Sequence, residues 1–287
     1  MKITFLGTSA AHSSPLPFCT CTVCKTAREL GGKDLRKRSS LLINEDLIID
    51  LGPDLMTASY SHGIDTTKIR YWLQTHSHSD HFSSAHVITR MAEYATLDPP
   101  LLSLFASRQC IQNMSGYLEK EEPGVDLLDP EWACRLQIDV NCVDHGEEFK
   151  CGSYTMTALR SAHDVRDCSH LYLVNDGSHR LFYGLDADEN TLMNETIGYF
   201  SDNKVYLDAV ILDHTYGYNV EADNHLSAKG FIAIITEMKK RGIINQDSRV
   251  FASHISHEGT LPHDEFVVFA KQYGYEVAFD GLVLNIG

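Results

Sequence analysis

The sequence predicts a layered α/β protein, and three observations carry that expectation. Short apolar runs of strand length alternate with helix-periodic segments from one end of the chain to the other. Polar residues interrupt every apolar run before about 18 residues, the length a membrane-spanning helix needs. At 287 residues the chain is long enough to bury an extensive core. Met1 to Leu6 already reads as a strand, so no export signal is expected and the protein is expected in the cytoplasm.

In chain order, the predicted strands are Lys2 to Leu6, Leu41 to Ile43, Leu47 to Asp50, Tyr71 to Thr75 and Leu101 to Phe105. Leu136 to Cys142, Tyr154 to Leu159, His170 to Val174, Arg180 to Tyr183, Ala209 to Leu212, Val250 to Ala252 and Leu282 to Leu284 follow. The predicted helices are Pro53 to Tyr60, Ser84 to Tyr94, Ser107 to Lys120, Glu189 to Phe200, Ser227 to Arg241 and Pro262 to Tyr273. Ser227 precedes an apolar-periodic segment as a helix cap would, and Pro262 sits where a missing amide costs little. With no repeat, low-complexity linker or heptad run, residues 1–287 are expected to form one domain. Breakers at Asp98-Pro99-Pro100 and Glu121-Glu122-Pro123-Gly124 mark a mostly helical insertion around 84–132 that could shape the mouth of a site.

A formal net charge of −15 opposes non-specific attraction to nucleic acid, although bound cations would offset part of it. Lys33, Arg36, Lys37 and Arg38 form a basic stretch, read as a solvated loop or as a rim that attracts phosphate. Eight cysteines without an export signal are expected as thiols or thiolate ligands rather than disulfides.

The chemistry concentrates in Thr75-His76-Ser77-His78-Ser79-Asp80-His81. On an extended backbone His76 and His78 would project to the same side, and Asp80 and His81 would follow at a helix start. The first pair could bind one cation and the second pair a neighbour. Two sites need further ligands, and His163, Asp186 and His254 each fall just beyond a predicted strand, where loops gather functional groups on a rigid sheet. A carboxylate such as Asp186 can give one oxygen to each of two metals. Cys19, Cys21 and Cys24 add three soft ligands, and tetrahedral zinc needs a fourth. His257, three residues beyond His254, would let one loop serve both sites.

The run His76-x-His78-x-Asp80-His81, followed in order by His163, Asp186 and His254, resembles the metallo-β-lactamase superfamily over nearly the whole chain, from Phe5-Leu6-Gly7-Thr8 to the last strand. The resemblance implies an αββα sandwich of two mixed β-sheets with a binuclear site at one edge. It assigns His76, His78 and His163 to one metal and Asp80, His81 and His254 to the other, with Asp186 bridging. Zinc β-lactamases place a cysteine where Asp186 stands, and glyoxalase II enzymes carry Pro-Gly-His-Thr where this chain reads Ser161-Ala162-His163-Asp164, so neither is expected.

The cysteine cluster beside a complete histidine set is similar to the PhnP-type cyclic phosphodiesterases of phosphonate utilisation. That likeness implies a structural zinc on Cys19, Cys21, Cys24 and His257, with two manganese, zinc or iron ions in the active site. His225, in Asp223-Asn224-His225-Leu226-Ser227, resembles the phosphate-contacting histidine of the branch that includes tRNase Z. It is expected to stabilise phosphorane charge or protonate the leaving oxygen, and it joins Asp80 as a catalytic candidate.

The expected function is hydrolysis of a small phosphodiester, a cyclic ribosyl or nucleoside phosphate, through a metal-bridging hydroxide. A tRNase Z-like nuclease and a PqqB-like metal-binding protein without turnover are the alternatives. The expected partner is the small phosphodiester, with no nucleic acid and no membrane, and the chain is expected to act alone or as a homodimer.

Overall fold

Five of the six residues of the first strand are buried, a sign that this strand lies inside a stack of layers rather than on a solvated face. The computed structural model describes residues 1–94, 96–220 and 223–287. In chain order its strands are β1 (Lys2–Gly7), β2 (Ser40–Ile43), β3 (Leu47–Ile49), β4 (Tyr71–Leu73), β5 (Leu102–Ala106), β6 (Ile138–Cys142) and β7 (Glu148–Cys151). They continue with β8 (Tyr154–Arg160), β9 (His170–Asn175), β10 (Arg180–Gly184), β11 (Ala209–Asp213), β12 (Arg249–Ser253), β13 (Glu276–Val277) and β14 (Val283–Asn285).

The strands form two mixed sheets, ordered β14-β1-β2-β3-β4-β5-β6 and β13-β12-β11-β10-β9-β8-β7. Each sheet follows the same plan. Antiparallel pairs join β14 through β3 in the first sheet and β7 through β10 in the second; parallel pairs complete each, out to β6 and β13. As a result β1, β3 and β4 point their carboxyl ends one way within the first sheet, and β8, β10, β11 and β12 do the same within the second.

Three apolar clusters show how the layers stack. Phe5, Ile43, Ile49, Tyr172, Ile211 and Phe251 belong to the one between the sheets. On the outer face of the first sheet, Ile48, Trp72 and Leu104 pack against Val87, Ile111 and Met114 from helices Ser84–Ile88 and Arg108–Leu118. On the outer face of the second sheet, Phe182, Val210 and Leu212 pack against Phe200, Phe231 and Phe266, which come from helices Ile197–Asp202, Ala228–Lys240 and His263–Lys271. The alternation along β3 carries both layers at once: Ile49 faces the inner cluster and Ile48 the outer one. The architecture is therefore the αββα sandwich of the metallo-β-lactamase fold.

Several elements differ from expectation. The strand predicted over Tyr71 to Thr75 stops at Leu73, because Gln74 turns its amide back onto the following loop. The stretch around 84–132 is tied into the first sheet: the strand predicted at Leu101 to Phe105 is β5, and it pairs with both β4 and β6. The helix expected over Ser84 to Tyr94 ends at Ile88, with only a 3₁₀ turn at Ala92–Tyr94. The segment from Glu189 to Asp202 carries a π-helical turn at Leu192–Thr196. Helices Thr22–Leu30 and Pro130–Leu136 and strands β7 and β13 lie outside the predicted set. Among the described residues no helix is long and apolar enough to cross a membrane.

The core also holds two histidines, His170 and His214, that form no ion pair among the described residues. Burial keeps His214 neutral and pushes its pKa down to about 4; its ring packs on Phe231, Phe266 and Tyr275. Burial pushes His170 down to about 3. Both values lie below the unfolded one, so the unfolded chain takes up protons first as pH falls. Stability is then complete above about pH 6.5 and drops toward pH 4, by on the order of 1 kcal/mol per pH unit for each histidine. Chemical denaturation at pH 7 and pH 5 should show that loss, and His214→Phe should make it smaller.

Candidate metal centre

Every predicted ligand of the binuclear set lies just beyond the carboxyl end of a strand, the edge where open α/β sheets gather their functional groups. The histidine run follows β4, His163 follows β8, Asp186 follows β10 and His254 follows β12. His76 and His78 stand in the loop past β4, not on the strand, and Asp80 and His81 form a turn before the helix at Ser84. That turn closes through His81 and Phe82 amides donating to the His78 carbonyl, both at 2.9 Å. Gln74 holds the loop from beneath: its amide donates to the carbonyls of His76 and His81, at 2.6 and 3.0 Å, while its oxygen accepts from the Trp72 indole. Gly52 is required opposite, since a Cβ there would lie 2.7 Å from the Asp80 carbonyl.

The side chains converge into overlapping groups whose donor atoms lie within 4.8 Å of one another: His76, His78 and His163; Asp80, His81 and His254; and Asp186 with His76 and His81. Asp186 stands between the first two. Its Oδ1 lies 3.5 Å from His163 Nε2, and its Oδ2 lies 2.9 Å from His81 Nε2 and 3.2 Å from His254 Nε2. Asp80 Oδ2 is 3.2 Å from His81 Nε2 and 3.9 Å from His254 Nε2. Asp186 and His254 both adopt positive φ, 51° and 57°, a conformation that non-glycine residues hold only where the surroundings enforce it.

Divalent cations fit this donor set. The Nε2 atoms of His76, His81 and His254 and Oδ2 of Asp186 are buried and, despite their proximity, no hydrogen bond satisfies them. Burying such atoms unpaired is costly, and a cation among them removes the cost. Burial together with the charge of His81 holds His76 well below the usual imidazole range. Burial opposes the charges of Asp186 and His81, but the histidines around Asp186 hold it ionised and the carboxylates of Asp80, Asp186 and Asp50 raise His81.

The opposite ring nitrogens are fixed by groups the sequence does not single out. Asp50, fully buried, takes His81 Nδ1 at 2.7 Å on one oxygen, and the Thr75 amide and hydroxyl at 2.9 Å on the other. Thr75 Oγ1 sits 2.9 Å from His76 Nδ1, and Thr215 Oγ1 sits 2.8 Å from His254 Nδ1. Asp164 lies 3.0 Å from His78 Nε2 and is itself clamped by the Arg166 guanidinium, so His78 faces His163 through Nδ1 at 3.4 Å. Such partners orient a metal-binding imidazole and set which nitrogen it presents.

His225 joins the centre from the loop ahead of helix Ala228–Lys240. Its Nδ1 lies 3.0 Å from Asp213 Oδ2 and 3.7 Å from Asp186 Oδ1, and its ring stacks on His254. Burial disfavours its charge, but Asp213 outweighs burial and raises the pKa to about 9. The same Asp213 carboxylate accepts from the backbone amides of Asp186, Thr215 and Leu226. His170 and His214, also close in sequence to the site strands, turn away from the centre toward Tyr172 and Tyr275.

The predicted soft site also assembles. Cys19 Sγ and Cys21 Sγ lie 3.5 and 3.4 Å from His257 Nδ1, and Cys24 completes a group within 4.8 Å. A zinc tetrahedron with bonds of about 2.0–2.3 Å has edges of roughly 3.3–3.8 Å, which matches these separations. Cys21 caps the helix Thr22–Leu30, so the cluster and the helix start are one feature. The backbone-amide bond from Cys21 lowers the Cys19 pKa, whereas burial pushes Cys24 up to about 11. Of the basic stretch, Arg36 is buried, donating to Thr8 and the Ala278 carbonyl, and Arg38 pairs with Asp54; neither forms a phosphate rim.

The sandwich and the ligand order define a metallo-β-lactamase-fold protein. Residues 37–244 match the family described as "Anti-Pycsar protein Apyc1", and the chain belongs to that family. Solved structures repeat the fold along its whole length. A diphosphatase from the PhnP family is 20% identical with a TM-score of 0.67, covering 99% of this chain and 96% of its own. PqqB from Methylobacterium extorquens, solved with zinc bound, is 16% identical at 0.70, covering 99% and 100%. The short form of human tRNase Z is 16% identical at 0.62, covering 100% of both chains. No curated protein sequence matches.

Two substitutions test the arrangement. Asp50→Ala frees His81 and should weaken metal binding by roughly 10–100-fold, measured by calorimetric titration of stripped protein. Cys24→Ser should release zinc, read with a chromogenic chelator, and lower the melting temperature.

Proposed function

We propose that residues 1–287 form a single phosphodiesterase domain that hydrolyses a small cyclic phosphodiester, a nucleoside cyclic phosphate. The pairing of His225 with Asp213 beside Asp186 carries this reading: it sets a proton-bearing imidazole next to a donor set suited to two cations. The matched family supports the substrate class, since its name points to cyclic-nucleotide degradation. The cavity is about 460 Å³, a size suited to a small ligand. A net charge of −15 disfavours a long nucleic acid.

Two divalent cations, manganese, zinc or iron, held by His76, His78, His163, Asp80, His81, His254 and Asp186, would supply Lewis acidity to the phosphoryl group and lower the pKa of water. The chain's own residues then do the positioning. Asp213 engages Nδ1 of His225, leaving Nε2 to meet a substrate oxygen. As the P–O bond breaks, His225 gives its proton to the departing ester oxygen, and water supplies the new oxygen on phosphorus. The amino end of helix Ala228–Lys240, capped by Ser227, adds a dipole that favours the anionic group.

The cysteine site acts through the walls. Ser9 to Ser14 and Leu16 line one side of the cavity, and Ser256, His257 and Glu258 line another. A zinc on Cys19, Cys21, Cys24 and His257 would tie these two walls together.

His225→Ala should lower kcat by roughly 10²–10⁴-fold on a cyclic nucleotide while metal content is kept. With p-nitrophenolate as the leaving group, which needs no protonation, the loss should be much smaller. Wild-type turnover of the cyclic nucleotide by this variant would remove the assigned role.

A further inference from the structure

A second groove opens beside His78. It is lined by Ser77, Gln112, Asn113, Gly116, Tyr117 and Lys120, with Asp164 and Arg166 along one edge, and encloses about 440 Å³. His78 lines both this groove and the cavity that holds His225, so the two adjoin at that residue, the groove on the edge where Asp164 meets Nε2. The His225 side is where a leaving group departs. The adjoining groove gives a second ester arm on the same phosphorus a place to lie, past His78.

A cyclic phosphodiester has no second arm, because both ester oxygens belong to one ring. An acyclic diester has two, and the groove's chemistry fits a nucleoside as the second. Tyr117 is 39% exposed and offers a ring face of the kind on which bases stack. The Lys120 ammonium stands over one face of that ring, 5.1 Å from its centroid, so a base would use the other face. Gln112 is exposed on the same helix and can both donate to and accept from a base edge. The acidic side chains of the groove are already engaged: Asp164 holds His78 and Arg166, and Asp167 holds Ser77 and Asn113. Gly116 leaves the floor open, since a Cβ there would meet nothing within 4 Å.

We propose that this groove is the subsite for the second nucleoside of an acyclic phosphodiester, so that the centre also cleaves dinucleoside monophosphates. The inference rests on the phosphodiesterase reading above. Hydrolysis breaks the P–O bond to the arm on the His225 side, which leaves as an alcohol carrying the donated proton. Water adds to phosphorus, and the nucleoside in the groove is released as its monophosphate.

Gly116 lies on the helix Arg108–Leu118, outside the metal ligands, and replacing a helical glycine with alanine favours the helix. Gly116→Trp should fill the groove and lower kcat/KM for thymidylyl-(3′→5′)-thymidine at least tenfold, leaving a 3′,5′-cyclic nucleotide within twofold. Gly116→Ala should leave both unchanged, and Tyr117→Ala should raise KM for the dinucleotide alone. The proposal is overturned if the wild-type enzyme hydrolyses the cyclic nucleotide but not the dinucleotide, or if Gly116→Trp affects both substrates equally or neither. If metal-loaded wild-type protein hydrolyses no phosphodiester at all, the functional reading itself fails.

Discussion

The structure turns on keeping one carboxylate charged where water is excluded. Asp186 is 3% exposed, and an isolated ionised group in such a place would be protonated or unstable. It stays ionised because His81, His163 and His254 close on its two oxygens. Those histidines need orientation in turn: Asp50 and Thr215 provide it for His81 and His254, and Thr75 does the same for His76 beside them. Asp213 extends the same logic outward, fixing the Asp186 backbone and His225 together.

The fold supplies the convergence. Two sheets with the same plan place the ends of β3, β4, β8, β10, β11 and β12 at one edge of the sandwich; Asp50, the histidine run, His163, Asp186 and His254 follow those ends, and Asp213 is the last residue of β11. Loops that meet there must pack closely. At Gly217 an added Cβ would fall 1.5 Å from the Gly259 carbonyl oxygen, so the loop leading to His225 and the loop carrying His254 and His257 touch backbone to backbone. The cysteine cluster, sharing His257, sits where it can brace that junction.

The chemistry of the site is more legible in the sequence than its support. His76, His78, Asp80 and His81 announce themselves because four donors fall within six residues, and the cysteines do so by spacing alone. Asp50 carries no such signal. In Ile49-Asp50-Leu51 it reads as a strand end, and its importance comes from His81, thirty-one residues away in sequence. Gln74 reads as part of a strand for the same reason: its bonds to His76 and His81 exist only once the loop has folded over it. Helix Thr22–Leu30 escapes notice because it buries only Cys24 and Ala27, too few positions to make an apolar period. Strand β7 escapes because only Cys151 among its residues is buried, as befits an edge strand. The second groove is also invisible in sequence, since Ser77, Gly116 and Arg166 come from three separate segments.

The proposed chemistry requires Asp186 to bridge two cations. The most direct measurement is a crystal structure of manganese-loaded protein with anomalous data collected to locate the ions. Two peaks about 3.5–4 Å apart, the usual spacing of a paired-metal site, are expected, with one Asp186 oxygen toward each. A single ion, or two ions that Asp186 does not contact, would contradict the bridge.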